Sequence, residues 1–351
     1  MILKFLNFWN GGTRSVLLAM LAALVLCTGH LAAADAPTKI KLATLAPKGT
    51  SFHQILQTMG DKWRQAPGGG VGLTIYTDGT MGGEADMVRR MRAGQIQAAM
   101  LSVGGLSEID DSVRCLQNLP MAFHSLDEVD YIRQKLQPML EKKFLDKGFI
   151  ILFWGDAGWV RFFSKQPATL PDEFKKMKMF TWSGDNNQID LMKAAGYHPV
   201  PLEYTDTLTS LQTGLLEAVP TTPFYALAGQ FYGPAPHMLE LNWAPLVGGT
   251  VITKKAWDAI PAATQQELLK AAVEAGDQIR TKSRAESGES VDAMKKRGLT
   301  VHAVTPEVEA QWRKMAEGIY PEIRGKIVPA DLFDEVLRLL KAHREEAGGA
   351  K

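Results

Sequence analysis

Short apolar runs alternate with amphipathic helical patterns along most of this chain, and that alternation restricts it to an α/β architecture. Residues 39–45 (KIKLATL) read as a first strand. Phe52, Ile55, Leu56, Met59 and Trp63 then recur at helical spacing, opened by Ser51 with Gln54 three residues on, the pattern of a capping box. Residues 73–76 and 98–101 give two further strands, separated by a helix that opens at Gly82-Gly83-Glu84 and stops at Gly94. Ser125 and Glu128 cap the next helix, and strands follow at 149–154, 178–182 and 245–254. The pattern predicts a mostly parallel sheet covered by helices. The last hundred residues read as helical, with Thr264 and Glu267 capping one long helix and Thr305-Pro306 starting another.

The first 34 residues have the three parts of a secretory signal: Lys4 and Arg14, the apolar run 16–26, and the small-residue end Ala32-Ala33-Ala34. The run is short for a bilayer span of about 20 residues. Cleavage after Ala34 makes this an exported protein and takes the formal net charge from +1 to −1. Such a balance gives no field for gripping nucleic acid. Leu26 before Cys27 is too bulky for a lipidation site, so Cys115 is the one thiol expected to remain, and a large core must hold the fold without a disulfide. The remaining length suits two domains. Residues 35–155 are assigned mainly to a first α/β lobe, 156–250 mainly to a second, and 251–351 to a helical part spanning both, with crossovers between lobes.

Catalytic patterns are missing. The chain has no G-x-S-x-G, H-E-x-x-H, C-x-x-C or P-loop, and its seven histidines stand singly, so no catalytic residue, metal or cofactor is assigned. The glycine-rich stretch 68–72 precedes a strand, which is the wrong order for a dinucleotide site. Aromatic clustering is more informative: nine aromatic residues fall between Phe149 and Trp182, among them Trp154, Trp159, Phe180 and Trp182. Trp154 and Trp182 each sit where a strand pattern gives way to a Gly-containing turn, and open α/β sheets bind ligands beyond such strand ends.

Several segments carry a resemblance. Residues 42–53 (LATLAPKGTSFH), 82–84 (GGE), 91–94 (MRAG), 119–123 (LPMAF) and 211–218 (LQTGLLEA) stand in the order and spacing of a known family. The chain resembles the DctP-like solute-binding subunits of tripartite ATP-independent periplasmic (TRAP) transporters. The resemblance implies two α/β lobes with a cleft between them, a long bracing helix and closure around a small-molecule solute. It also implies delivery to a membrane permease driven by an ion gradient. Most members of the family bind organic anions, gripping a carboxylate with an arginine at a strand end.

At that strand this sequence departs from the family. The usual Lys-x-Arg-Val reads Lys178-Met179-Phe180-Thr181, so Phe180 stands in the arginine's place. A second family arginine matches Val160, with Arg161 one residue later and therefore on the opposite strand face. Pro220-Thr221 replaces a frequent Glu-Asn pair. The expected ligand is accordingly less anionic and more apolar or aromatic, with an acid held by Arg161 or a lysine as the alternative. Candidate ligand-binding residues are His53 at the first helix start, Glu84, Ser102 and Gly104 after the third strand, Trp154, Trp159, Arg161, Phe180, Trp182, Thr221, Thr222, Tyr225 and Trp243. Two other functions stay open: an exported hydrolase-like enzyme using the same cleft, and a sensing subunit for a membrane receptor.

Overall fold

The computed structural model describes residues 38–349 except residue 69, so the signal-like segment lies outside the described residues. The strands are β1 (Thr38–Thr44), β2 (Val71–Tyr76), β3 (Ala98–Ser102), β4 (Phe149–Ser164), β5 (Lys178–Trp182), β6 (His198–Leu202), β7 (Ala218–Thr221), β8 (His237–Thr253) and β9 (Thr300–His302). The helices are α1 (Ser51–Gln65), α2 (Glu84–Arg92), α3 (Val103–Ser107), α4 (Leu126–Asp146), α5 (Pro171–Phe174) and α6 (Asn186–Ala194). They continue with α7 (Thr207–Thr213), α8 (Pro223–Ala228), α9 (Lys254–Asp258), α10 (Ala262–Lys295), α11 (Pro306–Ile323) and α12 (Ala330–Gly349).

All these strands join in one sheet of order β2-β1-β3-β8-β4-β7-β5-β6, with β9 beside β8. The pairings are mixed. β1 with β3 and β5 with both β6 and β7 run parallel, as the alternating pattern predicts. β4 and β8 run antiparallel to each other over nearly their whole length, much longer than the strands predicted at 149–154 and 245–254. The reason is topological. β4 carries the chain from the first lobe to the second and β8 brings it back, so the two must point opposite ways. β8 pairs β3 through residues 248–252 in the first lobe and β9 through residues 237–239 in the second.

Helices cover both faces of both lobes, which produces four hydrophobic cores. In the first lobe, one face holds Phe144, Phe149, Trp154 and Phe333, and the other holds Leu42, Trp63, Ile252 and Leu268. In the second, Phe162, Phe174 and Trp312 fill one face, while Phe163, Phe180, Phe231 and Met294 fill the other. Cys115 is free and buried in the first lobe, and burial pushes its thiol up to about 12.

Helix α10 has 34 residues and so runs about 50 Å, enough to brace both lobes. Its buried face changes partner along the way, from Leu268 against α1 in the first lobe to Met294 in the second. Gly276 lets it approach the crossing strand, since a Cβ there would lie 2.7 Å from Phe153 Cβ. The expected caps of this helix are not formed. It begins at Ala262, two residues earlier than its hydroxyl signal, and Thr264 is buried inside the first turn with Oγ1 donating to the Pro67 carbonyl at 2.8 Å. Ser51 departs in the same way. Thr50 precedes α1, which leaves the Ser51 hydroxyl free to donate to Glu286 of α10 at 2.7 Å. At α4 and α11 the caps form as read, with Ser125 accepting from the Glu128 N–H and Thr305 from the Val308 N–H.

Candidate functional site

Between the lobes lies a cleft of about 230 Å³, roughly eight times the volume water occupies per molecule in the liquid. Its walls are built where parallel strands end. Thr44 ends β1 with Leu45 next to it, Ser102 ends β3 with Gly104 just beyond, Trp182 ends β5 and Thr221 ends β7. Placing ligand groups beyond the carboxyl ends of strands is the general habit of open α/β sheets. The crossing strands supply the floor through Phe153, Gly155, Asp156, Ala157 and Val160 on β4 and Trp243, Ala244 and Leu246 to Gly249 on β8.

Aromatic rings dominate the second-lobe wall. Phe180 meets Trp182 edge-on at 5.4 Å between centroids, Trp182 stacks on Tyr204 at 6.1 Å, and Tyr204 meets Tyr225 edge-on at 5.6 Å. Phe52 of α1 completes the row from the first lobe, 6.5 Å from Tyr225. Such offset and edge-to-face contacts fix the wall's shape as well as burying its area. Burial, and then the nearby Glu84 carboxylate, push the Tyr225 hydroxyl above the usual phenol range. Tyr225 therefore acts as a neutral donor or acceptor.

Every charged side chain on the lining is already engaged. Glu84 is buried, and its carboxylate accepts from Ser102 N–H at 2.7 Å, Ser102 Oγ at 2.6 Å and Gly105 N–H at 2.9 Å. Burial raises its pKa, these bonds oppose the rise, and Glu203 across the cleft adds to it. Asp156 is held by Arg284 of α10 at 2.8 Å, and Arg284 also binds Asp130 of α4 at 2.8 Å. Arg114 is the only Lys, Arg or His lining the cleft among the described residues. Its Nε binds Asp111 and its Nη1 binds Asp185, both at 2.8 Å. Burial works against the Arg114 charge, but the two carboxylates outweigh it and hold its pKa above the ordinary value.

The lobes touch around this cleft. Asp185 caps α6 in the second lobe, so its bond to Arg114 spans from one lobe to the other. Glu203 of the second lobe packs so tightly on Gly83 that any side chain there would overlap its carboxylate. Asn187 of α6 donates to the Lys326 carbonyl at 3.1 Å, beside the first-lobe core. The conformation is a closed one.

Of the residues read from the sequence, Glu84, Ser102, Gly104, Phe180, Trp182, Thr221, Tyr225 and Trp243 come together on the lining. Five do not. Trp154 is buried in the first-lobe core with Nε1 donating to Glu141 at 3.3 Å, because β4 continues past it and its ring faces α4. Trp159 packs on the same core, opposite Pro245 of β8. Arg161 points away from the cleft to Glu240 at 3.1 Å, while Val160 faces inward, as strand alternation requires. His53 accepts from the Gly49 N–H at 3.1 Å through Nδ1 and lines an outer groove instead. Thr222 is fully buried as the N-cap of α8, accepting from the Tyr225 N–H. Arg114, Gln117, Asn118, Asp185 and Gln188 line the cleft without having been singled out in the sequence.

Residues 42–326 match the bacterial extracellular solute-binding proteins, family 7, also known as DctP. The chain belongs to that family. It is 23% identical over 322 residues to the C4-dicarboxylate-binding periplasmic protein DctP of Rhodobacter capsulatus, covering 90% of this chain and 95% of that one. It is 24% identical to the 2,3-diketo-L-gulonate-binding periplasmic protein YiaO of Escherichia coli, covering 72% of this chain and 76% of that one. Two solved structures share the fold. A TRAP periplasmic solute-binding protein of Shewanella oneidensis with bound succinate superposes at TM-score 0.80 and 18% identity, over 87% of this chain and all of that one. The sugar-acid-binding protein DctPAm of Advenella mimigardefordensis with galactonate gives TM-score 0.81 and 16% identity, over 88% and 99%. The two-lobed architecture read from the sequence is thus the fold of this family. No helix among the described residues is long and apolar enough to cross a membrane.

Proposed function

We propose that this protein captures an uncharged, mainly apolar or aromatic small molecule in the periplasm and delivers it to a TRAP-type permease. One observation carries the choice of ligand: the cleft holds three acids, Glu84, Asp156 and Asp185, against one base, Arg114, and that base is already paired. Arg284 pairs with Asp156 and Arg114 with Asp185, which leaves Glu84, whose charged form burial disfavours, without a cationic partner. A ligand carboxylate would enter this field without a free cation, and burying it unpaired costs several kcal/mol. Phe180 and Val160 face the space where the family's two arginines would reach. The aromatic row supplies large apolar contact instead, with Thr181, Thr221, Gln188 and the Tyr225 hydroxyl as neutral hydrogen-bonding groups.

Ligand contacts to both lobes would stabilise the closed form, which is how a binding protein signals its load to a permease. Family membership favours capture over catalysis. A second reading keeps an organic acid, and one observation favours it: Arg114 does face the cleft. Thermal-shift screening separates the two. Neutral aromatic or apolar solutes should raise the melting temperature and be recovered unchanged. A large shift with succinate or another simple acid that disappears in Arg114→Gln would establish the second reading instead.

A further inference from the structure

We propose that Asp185 is a specificity-determining residue: its carboxylate occupies the one guanidinium that lines the cleft among the described residues, that of Arg114, and thereby makes the protein select an uncharged head group, a carboxamide over the matching carboxylate. This rests on the neutral-ligand reading given above.

The geometry is that of an internal substitute for a ligand. Arg114 lies on the turn after α3 in the first lobe, and Asp185 lies at the start of α6 in the second. Their side chains are 11% and 16% exposed, so the 2.8 Å pair forms inside the closed cleft and not on its rim. Nε is taken by Asp111 at 2.8 Å, and Nη2 has no protein acceptor among the described residues. An Arg side chain has five N–H groups, and a carboxylate is gripped best by two parallel ones. With Nε and Nη1 engaged by protein carboxylates, each of the guanidinium's two forks, Nε with Nη2 and Nη1 with Nη2, already has one nitrogen taken. The N–H groups of Nη2 remain, enough for a carbonyl oxygen.

The surroundings point the same way. Asn118 is fixed on the same turn by its N–H to the Arg114 carbonyl at 2.8 Å, and its Oδ1 is buried without a partner. That oxygen and the Asp185 carboxylate both disfavour a second anion at this end of the cleft. An amide head has neither problem. Its carbonyl accepts from an N–H of Nη2 and it adds no charge. The pair also joins the lobes, so a carboxylate that displaced Asp185 would break a closing contact in order to bind.

Phenylacetate and phenylacetamide form a matched pair of probes. Their affinities would be measured by calorimetry for the full-length secreted protein, for Asp185→Asn and Asp185→Ala, and for Asp185→Asn combined with Arg114→Gln. Removing Asp185 frees Arg114, and the ratio of amide to carboxylate affinity should move toward the carboxylate by about tenfold or more, the scale of one charge-assisted pair. The double variant should lose that gain. The ratio matters because loss of the inter-lobe contact weakens both probes together. If both Asp185 variants keep the native circular dichroism and the ratio moves less than twofold, or neither binds phenylacetate, the proposal is overturned. Should the unaltered protein itself prefer phenylacetate, the neutral-ligand reading fails, while the change on replacing Asp185 still decides this one.

Discussion

The ion triad at the crossing strand gives the sharpest stability prediction. Arg284 of α10 reaches Asp156 of β4 through Nη2 at 2.8 Å and Asp130 of α4 through Nη1 at 2.8 Å. The Asp156 side chain is 4% exposed, and its other partner is the Gly158 N–H at 3.1 Å. Replacing Arg284 with Met keeps much of the side-chain bulk and strands a buried carboxylate. Charges about 4 Å apart at an effective dielectric of 20 attract by about 4 kcal/mol, and breaking a buried pair typically costs about 3–5 kcal/mol. Arg284 is itself 22% exposed, which lets water reach the vacancy and places the expected loss near the low end, about 3 kcal/mol.

Urea unfolding followed by tryptophan fluorescence and far-ultraviolet circular dichroism measures this. At a slope of about 3 kcal/mol/M the midpoint should fall by about 1 M. Adding Asp156→Asn to the first substitution removes the stranded charge and should return about half of the loss, a coupling that only contacting residues show. A loss below about 1 kcal/mol for Arg284→Met, with the second substitution merely additive, would refute the idea that this triad ties the bracing helix to the crossing strand.

Further outcomes follow from the same coordinates. Arg161→Met should leave ligand-induced thermal shifts unchanged, because Arg161 faces Glu240 outside the cleft; a lost shift would bring it back into the site. Gly276→Ala should destabilise by about 1–3 kcal/mol and weaken ligand binding, since the added Cβ meets Phe153 of the cleft floor; a rise in melting temperature, as helix propensity alone predicts, would contradict this. Burial pushes the Glu128 carboxyl up, but bonds from Arg344 and the His124 N–H outweigh it and hold its pKa below the ordinary 4.5. That stabilisation is present above the unfolded-state value and is lost as pH falls through the lower folded-state value. Arg344→Ala should therefore lower the melting temperature at pH 6 and flatten its fall between pH 5 and 3, and an unchanged slope would rule out the pair as the source.

Much of the architecture was legible because apolar periodicity is local. The stripe Phe52, Leu56, Met59 and Trp63 is buried as its spacing requires, and Ser125 and Thr305 cap the helices they precede. What escaped was anything set by the partner of an element. The residues of β4 beyond Trp154 include Gly155 and Gly158, which read as a turn, yet β8 holds them in register through irregularities at 151–153, 156–159 and 160–162. Once that strand continues, Trp154 becomes mid-strand and faces the core. One misplaced strand end thus moved an aromatic residue from the cleft to the interior.

The chemistry of the cleft was hidden for a related reason. Phe180 and Val160 could be read as departures because the resemblance supplied positions against which their side chains look wrong. Arg114 and Asp185 had no such reference. They are 71 residues apart and lie in short polar stretches that, taken alone, describe a turn and a helix cap. Their meaning comes from closure, which brings one residue of each lobe within 2.8 Å. A binding cleft between lobes is the part of a fold with the fewest local constraints, since its two walls belong to different folding units and meet only when the molecule shuts. Single-sequence patterns therefore reach the walls but not the bonds across them. In this protein those bonds are what distinguish a cleft awaiting a carboxylate from one that already contains its own.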